Sequence, residues 1–258
     1  MKVSACIDMM FSGLDFYDRF AAAKECGMDA VEFWAWSKKD IGRVCGELGK
    51  NGLRLSVFNI DSRDEALSYS LSRGILNAGR ADDLLRALHE SIPVYHELGA
   101  SAMIVLIGET IPDMSTQQQE ENILRCLKAA APVAEENGIT LVVEPLNATD
   151  RPGYFIPEAG RLLSILNEVD SPNIKMLYDI YHQHMTGDFD LEQIGRNIHR
   201  IGHFHVADCP GRHEPGTGNV DYVSILRSIS SLPYGGFIGL EYRAINPDEE
   251  TLDFLKEV

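Results

Sequence analysis

At 258 residues, 45% of them apolar and 24% charged, the chain is long enough for one α/β barrel of ordinary size or for two small domains. Lys and Arg total 23 against 39 Asp and Glu, and this formal charge of −16 repels phosphate backbones and anionic lipid faces, so neither nucleic acid nor membrane is expected as a partner. No apolar run approaches the roughly 18 residues of a membrane span, the N-terminus lacks the long apolar core of a secretory signal, and the five scattered cysteines, without a C-x-x-C pair, suit a reducing, cytoplasmic compartment.

In chain order, short β-rich apolar runs alternate with amphipathic stretches about eight times. Residues 3–7 precede a helical pattern over 16–26, residues 30–34 one over 40–50, and residues 53–59 one over 81–98. The fourth run, 103–108, leads into 116–137, the fifth, 140–146, into 157–168, and the sixth, 174–180, into 191–197. Runs 201–208 and 237–242 are followed by patterns over 222–230 and 248–258. Continuous apolar runs this short are what strands buried on both faces require. Gly27, Gly52, Gly99 and Gly138 each sit after a helical pattern and before a strand, where a left-handed cap is wanted. A doubly wound sheet for nucleotides would need a glycine-rich first turn. Around Gly216-Thr217-Gly218 the place of the third glycine is held by Asp221. The expectation is a single (β/α)8 TIM barrel over residues 1–258, with no linker, repeat or second domain.

Parallel barrel strands all point one way, so their carboxyl ends form one rim, and barrel enzymes do their chemistry there. The last four strands end in Glu144, Asp179, His205 and Glu241, at intervals of 35, 26 and 36 residues, each about one βα unit. Alternation then puts Val142, Leu177, His203 and Gly239 one step deeper on the same inward face, with His203 read as a buried, hydrogen-bonded residue. A single acid at a strand end is ordinarily a turn former or helix cap. Four metal-competent groups in one layer point instead to a divalent cation. Three carboxylates and an imidazole suit Mg²⁺ or Mn²⁺, with Co²⁺ also accommodated, and no organic cofactor is implied. Without a cation the carboxylates would repel, and some would take up protons.

At these residues the chain resembles hydroxypyruvate isomerases, a group of the xylose-isomerase-like barrel superfamily. The likeness rests on Met9-Met10-Phe11, Ala30-Val31-Glu32-Phe33, Glu144-Pro145-Leu146-Asn147, Pro152-Gly153-Tyr154-Phe155, Tyr178-Asp179-Ile180-Tyr181-His182, Arg212-His213-Glu214-Pro215 and Gly239-Leu240-Glu241-Tyr242-Arg243. It implies that Glu144 and Glu241 are an acid/base pair that also ligates the metal, with Asp179 and His205 completing the shell. It also implies that His182 and Arg212 contact substrate oxygens. His205 is a departure, because hydroxypyruvate isomerases resembling this chain can carry glutamine there while ketose epimerases carry histidine.

Aldose–ketose isomerisation and 3-epimerisation both begin by removing a proton beside a carbonyl. A cation held by neighbouring oxygens stabilises the enediolate, one carboxylate takes the proton and a second acid returns one. The expected reaction interconverts hydroxypyruvate and tartronate semialdehyde, with a small hydroxy-keto acid or sugar as the partner molecule. Arg212 would take the substrate carboxylate and His182 a carbonyl or hydroxyl. Glu32 is read as structural, Trp34 equally as a wall or as core, and the loops at 147–155 and 210–218 as covers. A ketose 3-epimerase or other sugar isomerase stays open, as do a metal-dependent lyase and a non-catalytic barrel subunit. The sequence also leaves a homo-oligomer open. A serine nucleophile is not supported, because no G-x-S-x-G is present.

Overall fold

In the computed structural model, which describes residues 1–248 and 250–258, the apolar runs form nine parallel strands. These are β1 (Lys2–Cys6), β2 (Ala30–Glu32), β3 (Arg54–Leu55), β4 (Val57–Asn59), β5 (Ala102–Leu106), β6 (Leu141–Glu144), β7 (Ile174–Asp179), β8 (Ile201–Val206) and β9 (Phe237–Leu240). The sheet order β3-β2-β1-β9-β8-β7-β6-β5-β4 places β3 and β4 at its two ends. Only Ser56 separates them, so they are halves of the expected third strand. Ser56 donates its N–H to the carbonyl of Val31 (2.9 Å), and its own carbonyl accepts from Ser101 (2.9 Å) and Ala102 (3.1 Å). That one residue joins the two ends and brings the sheet to a nearly closed barrel.

Strand alternation sorts the apolar side chains into two layers. Val57, Ala102, Ile104, Val142 and Leu177 fill the barrel interior as a cluster of their own. The larger core lies outside, between the strands and the helices. These helices are α1 (Arg19–Glu25), α2 (Ile41–Asn51), α3 (Glu65–Ser72), α4 (Arg80–Leu98), α5 (Thr116–Glu136), α6 (Ala159–Val169), α7 (Ile180–Thr186), α8 (Leu191–Arg196) and α9 (Tyr222–Ser230). Among the described residues, no helix is long and apolar enough to cross a membrane.

Two helices were not anticipated. α3 is short and is capped by Asp64, whose carboxylate accepts from the N–H groups of Ala66 and Leu67. α7 follows β7 without a loop, because Asp179 is both the last strand residue and the helix cap. The expected helix over 248–258 includes Glu249, which lies outside the described residues; residues Glu250–Glu257 form a 3-10 helix. Gly27, Gly52, Gly99 and Gly138 all take the expected left-handed backbone, with φ between 61° and 81°.

The segment after α3 is pinned to the end of β5 by two glycines face to face. Gly74 (φ 90°) and Gly108 (φ 102°) both lie in the region that disfavours a side chain. A Cβ on Gly74 would overlap the carbonyl of Ile107, and one on Gly108 that of Arg73. Backbone strain and overlap together make Gly108→Ala costly by roughly 3 kcal/mol. We expect its thermal unfolding midpoint to fall by about 10 °C; an unchanged midpoint would mean the two segments separate freely.

Candidate active site and metal centre

The register levels the strand ends. Asp179 pairs with His205, and His205 with Gly239, across β7, β8 and β9. Glu144 closes β6, and Glu241 follows β9 directly, its N–H continuing the ladder to the carbonyl of Val206 (3.1 Å). The four side chains are buried, and one ligand atom from each lies within 4.8 Å of the others. Nδ1 of His205 is 3.5 Å from Oε1 of Glu144 and 3.3 Å from Oε2 of Glu241. All four rim residues expected from the sequence are therefore brought together.

Their charges are balanced unevenly. Burial pushes the Glu144 carboxyl above its ordinary range, against the pull of His205. Burial also pushes Asp179 up to about 6, although Arg212 draws it down. For Glu241 burial acts in the same upward direction, but Arg212 and His205 outweigh it and hold this carboxyl well below the usual value. His205 goes the other way: burial opposes its charge, yet Glu241 and Glu32 raise it well above an ordinary histidine. Oε1 of Glu144 and Nδ1 of His205 are buried without a hydrogen-bond partner. Buried polar atoms without a partner are rare in folded proteins and call for an explanation. Three carboxylates and an imidazole nitrogen converging on one point fit a hard or borderline divalent cation.

Asp179 is also the helix cap that a lone strand-end acid would suggest. Its Oδ1 accepts from the N–H of His182 (3.2 Å), while Oδ2 lies 3.4 Å from Nε2 of the same histidine. Capping and facing the site use different oxygens of one carboxylate.

His182, Arg212, Trp34 and Leu146 line a cavity of about 300 Å³ beside Glu144 and Glu241. The backbone N–H of Asn147 (3.3 Å) and its side-chain amide (2.6 Å) both reach Nδ1 of His182. With Nδ1 accepting, Nε2 carries the proton and is buried with no partner of its own. Burial, helped by the charge of Arg212, lowers the His182 pKa to about 4, so the ring is a neutral donor.

Arg212 comes from the loop after β8 and holds a left-handed backbone (φ 58°), uncommon for a residue with a side chain. Its guanidinium pairs with Oε2 of Glu241 and stands 3.9 Å from Oδ2 of Asp179. Sequence reasoning left this arginine free for a substrate, whereas the structure shows it already engaged, with buried Nε unpartnered. Trp34, 40% exposed, is not core; its indole N–H donates to Oε1 of Glu241 (2.9 Å). Tyr154 fixes the loop at 147–155 by donating to the carbonyl of Glu144 (2.9 Å) and accepting from the N–H of Ile107 (2.8 Å). His203 is buried and hydrogen-bonded to Glu32 (3.0 Å), as expected.

The sequence profile of the xylose isomerase-like TIM barrel family matches residues 20–258. The chain belongs to this family. Among its relatives, a hydroxypyruvate isomerase of Escherichia coli (strain K12) is 31% identical over 99% of this chain and 98% of its own length. A 2-oxo-tetronate isomerase of Cupriavidus necator is 32% identical, covering 99% and 97%. A crystal structure named AP endonuclease, family 2, from Brucella melitensis superposes with a TM-score of 0.90 at 28% identity, over 99% of this chain and 98% of that one. Family membership accounts for the barrel. Sequence reasoning missed the grip of Asn147 on His182, although Asn147 stands in the Glu144-Pro145-Leu146-Asn147 motif. The bond from Trp34 to Glu241 left no local signal.

Proposed function

We propose that residues 1–258 act as one catalytic barrel, a metal-dependent isomerase of small hydroxy-keto acids, interconverting hydroxypyruvate and tartronate semialdehyde. The observation that carries this is the pair of buried carboxylates, Glu144 and Glu241, on one cavity together with a neutral histidine donor and an arginine. The names of the two full-length relatives support the substrate class. Glu144, Asp179, His205 and Glu241 would hold the cation, Mg²⁺ or Mn²⁺ first and Co²⁺ as a substitute. Such an ion supplies electrostatic stabilisation of negative charge on the substrate oxygens.

The chain's own groups do the rest. One of Glu144 and Glu241 takes the proton from C3 of hydroxypyruvate, the other acid delivers a proton to C2, and the hydroxyl proton passes from O3 to O2, so the formula is unchanged. Nε2–H of His182 donates to a substrate oxygen. Arg212 offers Nε to the substrate carboxylate while Nη2 keeps Glu241 in place. The five free cysteines suit a reducing cytoplasm.

A longer substrate is the second reading. The cavity adjoins a mainly apolar cleft of about 110 Å³ that shares Trp34, Asn59, Ile104 and Leu106 with it, which gives room for a four-carbon acid or a ketose. The endonuclease name of the Brucella structure is not carried over, because a charge of −16 repels DNA.

The test is solvent-deuterium incorporation with the metal-replete protein against hydroxypyruvate, 2-oxo-tetronate and free ketoses. Exchange at the carbon beside the carbonyl, with one of the acids preferred, is the expected result. Exchange on ketoses alone would move the assignment to an epimerase, and none on any substrate despite bound metal would end the proposal.

A further inference from the structure

Glu32 is buried at the end of β2, and its carboxylate lies inside the barrel outside the four rim residues, in a second group with His203 and His205 whose ligand atoms are also close enough to hold an ion. Gly239 admits it: a Cβ there would lie 2.6 and 2.7 Å from the two carboxylate oxygens and 2.7 Å from Nε2 of His203. The oxygens are held differently. Oε2 accepts from Ser4 Oγ (2.6 Å), Ser56 Oγ (2.8 Å) and Nε2 of His203 (3.0 Å). Oε1 takes none of these and lies 2.9 Å from Nε2 of His205, the ring whose Nδ1 faces Glu144 and Glu241. Oε1 and both His205 nitrogens are buried with no hydrogen-bond partner, so the 2.9 Å approach of Oε1 to Nε2 is a charge contact.

A neutral imidazole has one proton to place, and only the bare nitrogen ligates a metal. We infer that Glu32 is a positioning residue: its Oε1 keeps the His205 proton on Nε2 and so presents the Nδ1 lone pair to the cation. A carboxylate behind a ligating histidine fixes the tautomer and raises the basicity of the ligand. The inference rests on the cation site proposed above.

Glu32→Gln tests it with little change of shape. The donors on Oε2 keep the amide oxygen at their end, so the new NH₂ faces Nε2 of His205. The proton is then driven to Nδ1, where a ligand is needed. Titrating metal-stripped protein with Mn²⁺ by calorimetry, we expect Glu32→Gln to bind about ten- to a hundredfold more weakly than wild type. In a His205→Gln background, where an amide oxygen ligates with no tautomer to set, adding Glu32→Gln is expected to change the affinity by less than about twofold.

Equal losses in both backgrounds would make Glu32 merely structural and overturn the inference, as would unchanged binding by Glu32→Gln. Two Mn²⁺ per wild-type chain, one of them lost in Glu32→Gln, would make Glu32 a ligand in its own right and overturn it too. Failure of wild type itself to bind would remove the cation site and this inference together. Nitrogen-15 spectra of Mg²⁺-loaded wild type need no Glu32 variant: His205, assigned by its loss in His205→Gln, is expected to be protonated at Nε2 and bare at Nδ1. The reverse tautomer contradicts the inference.

Discussion

Glu144→Gln and Glu241→Gln are each expected to slow exchange of the substrate's carbon-bound proton by about 10²–10⁴-fold. Glutamine keeps the shape of the side chain and one ligating oxygen but removes a ligand charge, so both variants are assayed at saturating Mn²⁺, where proton transfer is the function removed. The metal-free variants should differ in stability. Burial raises the folded-state pKa of Glu144 above its unfolded value, so at every pH above the unfolded carboxyl value this group takes stability away from the fold. Glu144→Gln removes that penalty, and its unfolding midpoint is expected to be no lower than that of metal-free wild type. Glu241 has the opposite sign. Its pKa is depressed by Arg212 and His205, so its charge stabilises the fold at every pH above the unfolded carboxyl value. Glu241→Gln leaves the Arg212 guanidinium with Asp179 and Asp150, each at 3.9 Å, and its midpoint is expected to drop. Activity and thermal scans of both variants check this. Equal stability changes, or activity within tenfold of wild type in either, would contradict the assignment.

Stripping divalent cations is expected to abolish activity and lower stability together. A ligand that binds only the folded chain adds about 2.7 kcal/mol at a hundredfold excess over its dissociation constant. For a chain of this length that is an unfolding midpoint roughly 5–10 °C higher in saturating Mn²⁺ than after chelation. The gain arises because a cation replaces mutual repulsion among Glu144, Asp179 and Glu241 with attraction. Asp179→Asn should lose most of the shift, since its Oδ1 cap on His182 survives in the amide oxygen while a ligand charge is gone. A midpoint indifferent to chelation would count against the site.

The barrel and the four rim residues were legible because each is a local signal: an apolar run, then a polar residue, at intervals of one βα unit. Parallel topology converts those intervals into a ring. The layer below was partly legible, with His203 hydrogen-bonded and Gly239 inward, but the reason for Gly239 was not. It makes room for Glu32, and the partners Glu32 and His203 are 171 residues apart. Trp34 and Glu241, 207 residues apart, meet only because β2 and β9 both flank β1. Sequence periodicity gives the face on which a side chain lies, not its partner across a barrel. α7 escaped notice for a different reason. Its first residue, Ile180, extends the apolar run of β7, and the Asp179 cap that separates strand from helix looks, in sequence, like a ligand alone.

The central claim, that Glu144, Asp179, His205 and Glu241 surround one cation, is tested most directly by crystals grown with Mn²⁺. An anomalous difference map collected above the manganese edge should show one strong peak, bonded to an oxygen of each acid and to Nδ1 of His205. A peak elsewhere, or none at these four side chains in crystals saturated with the ion, would contradict it.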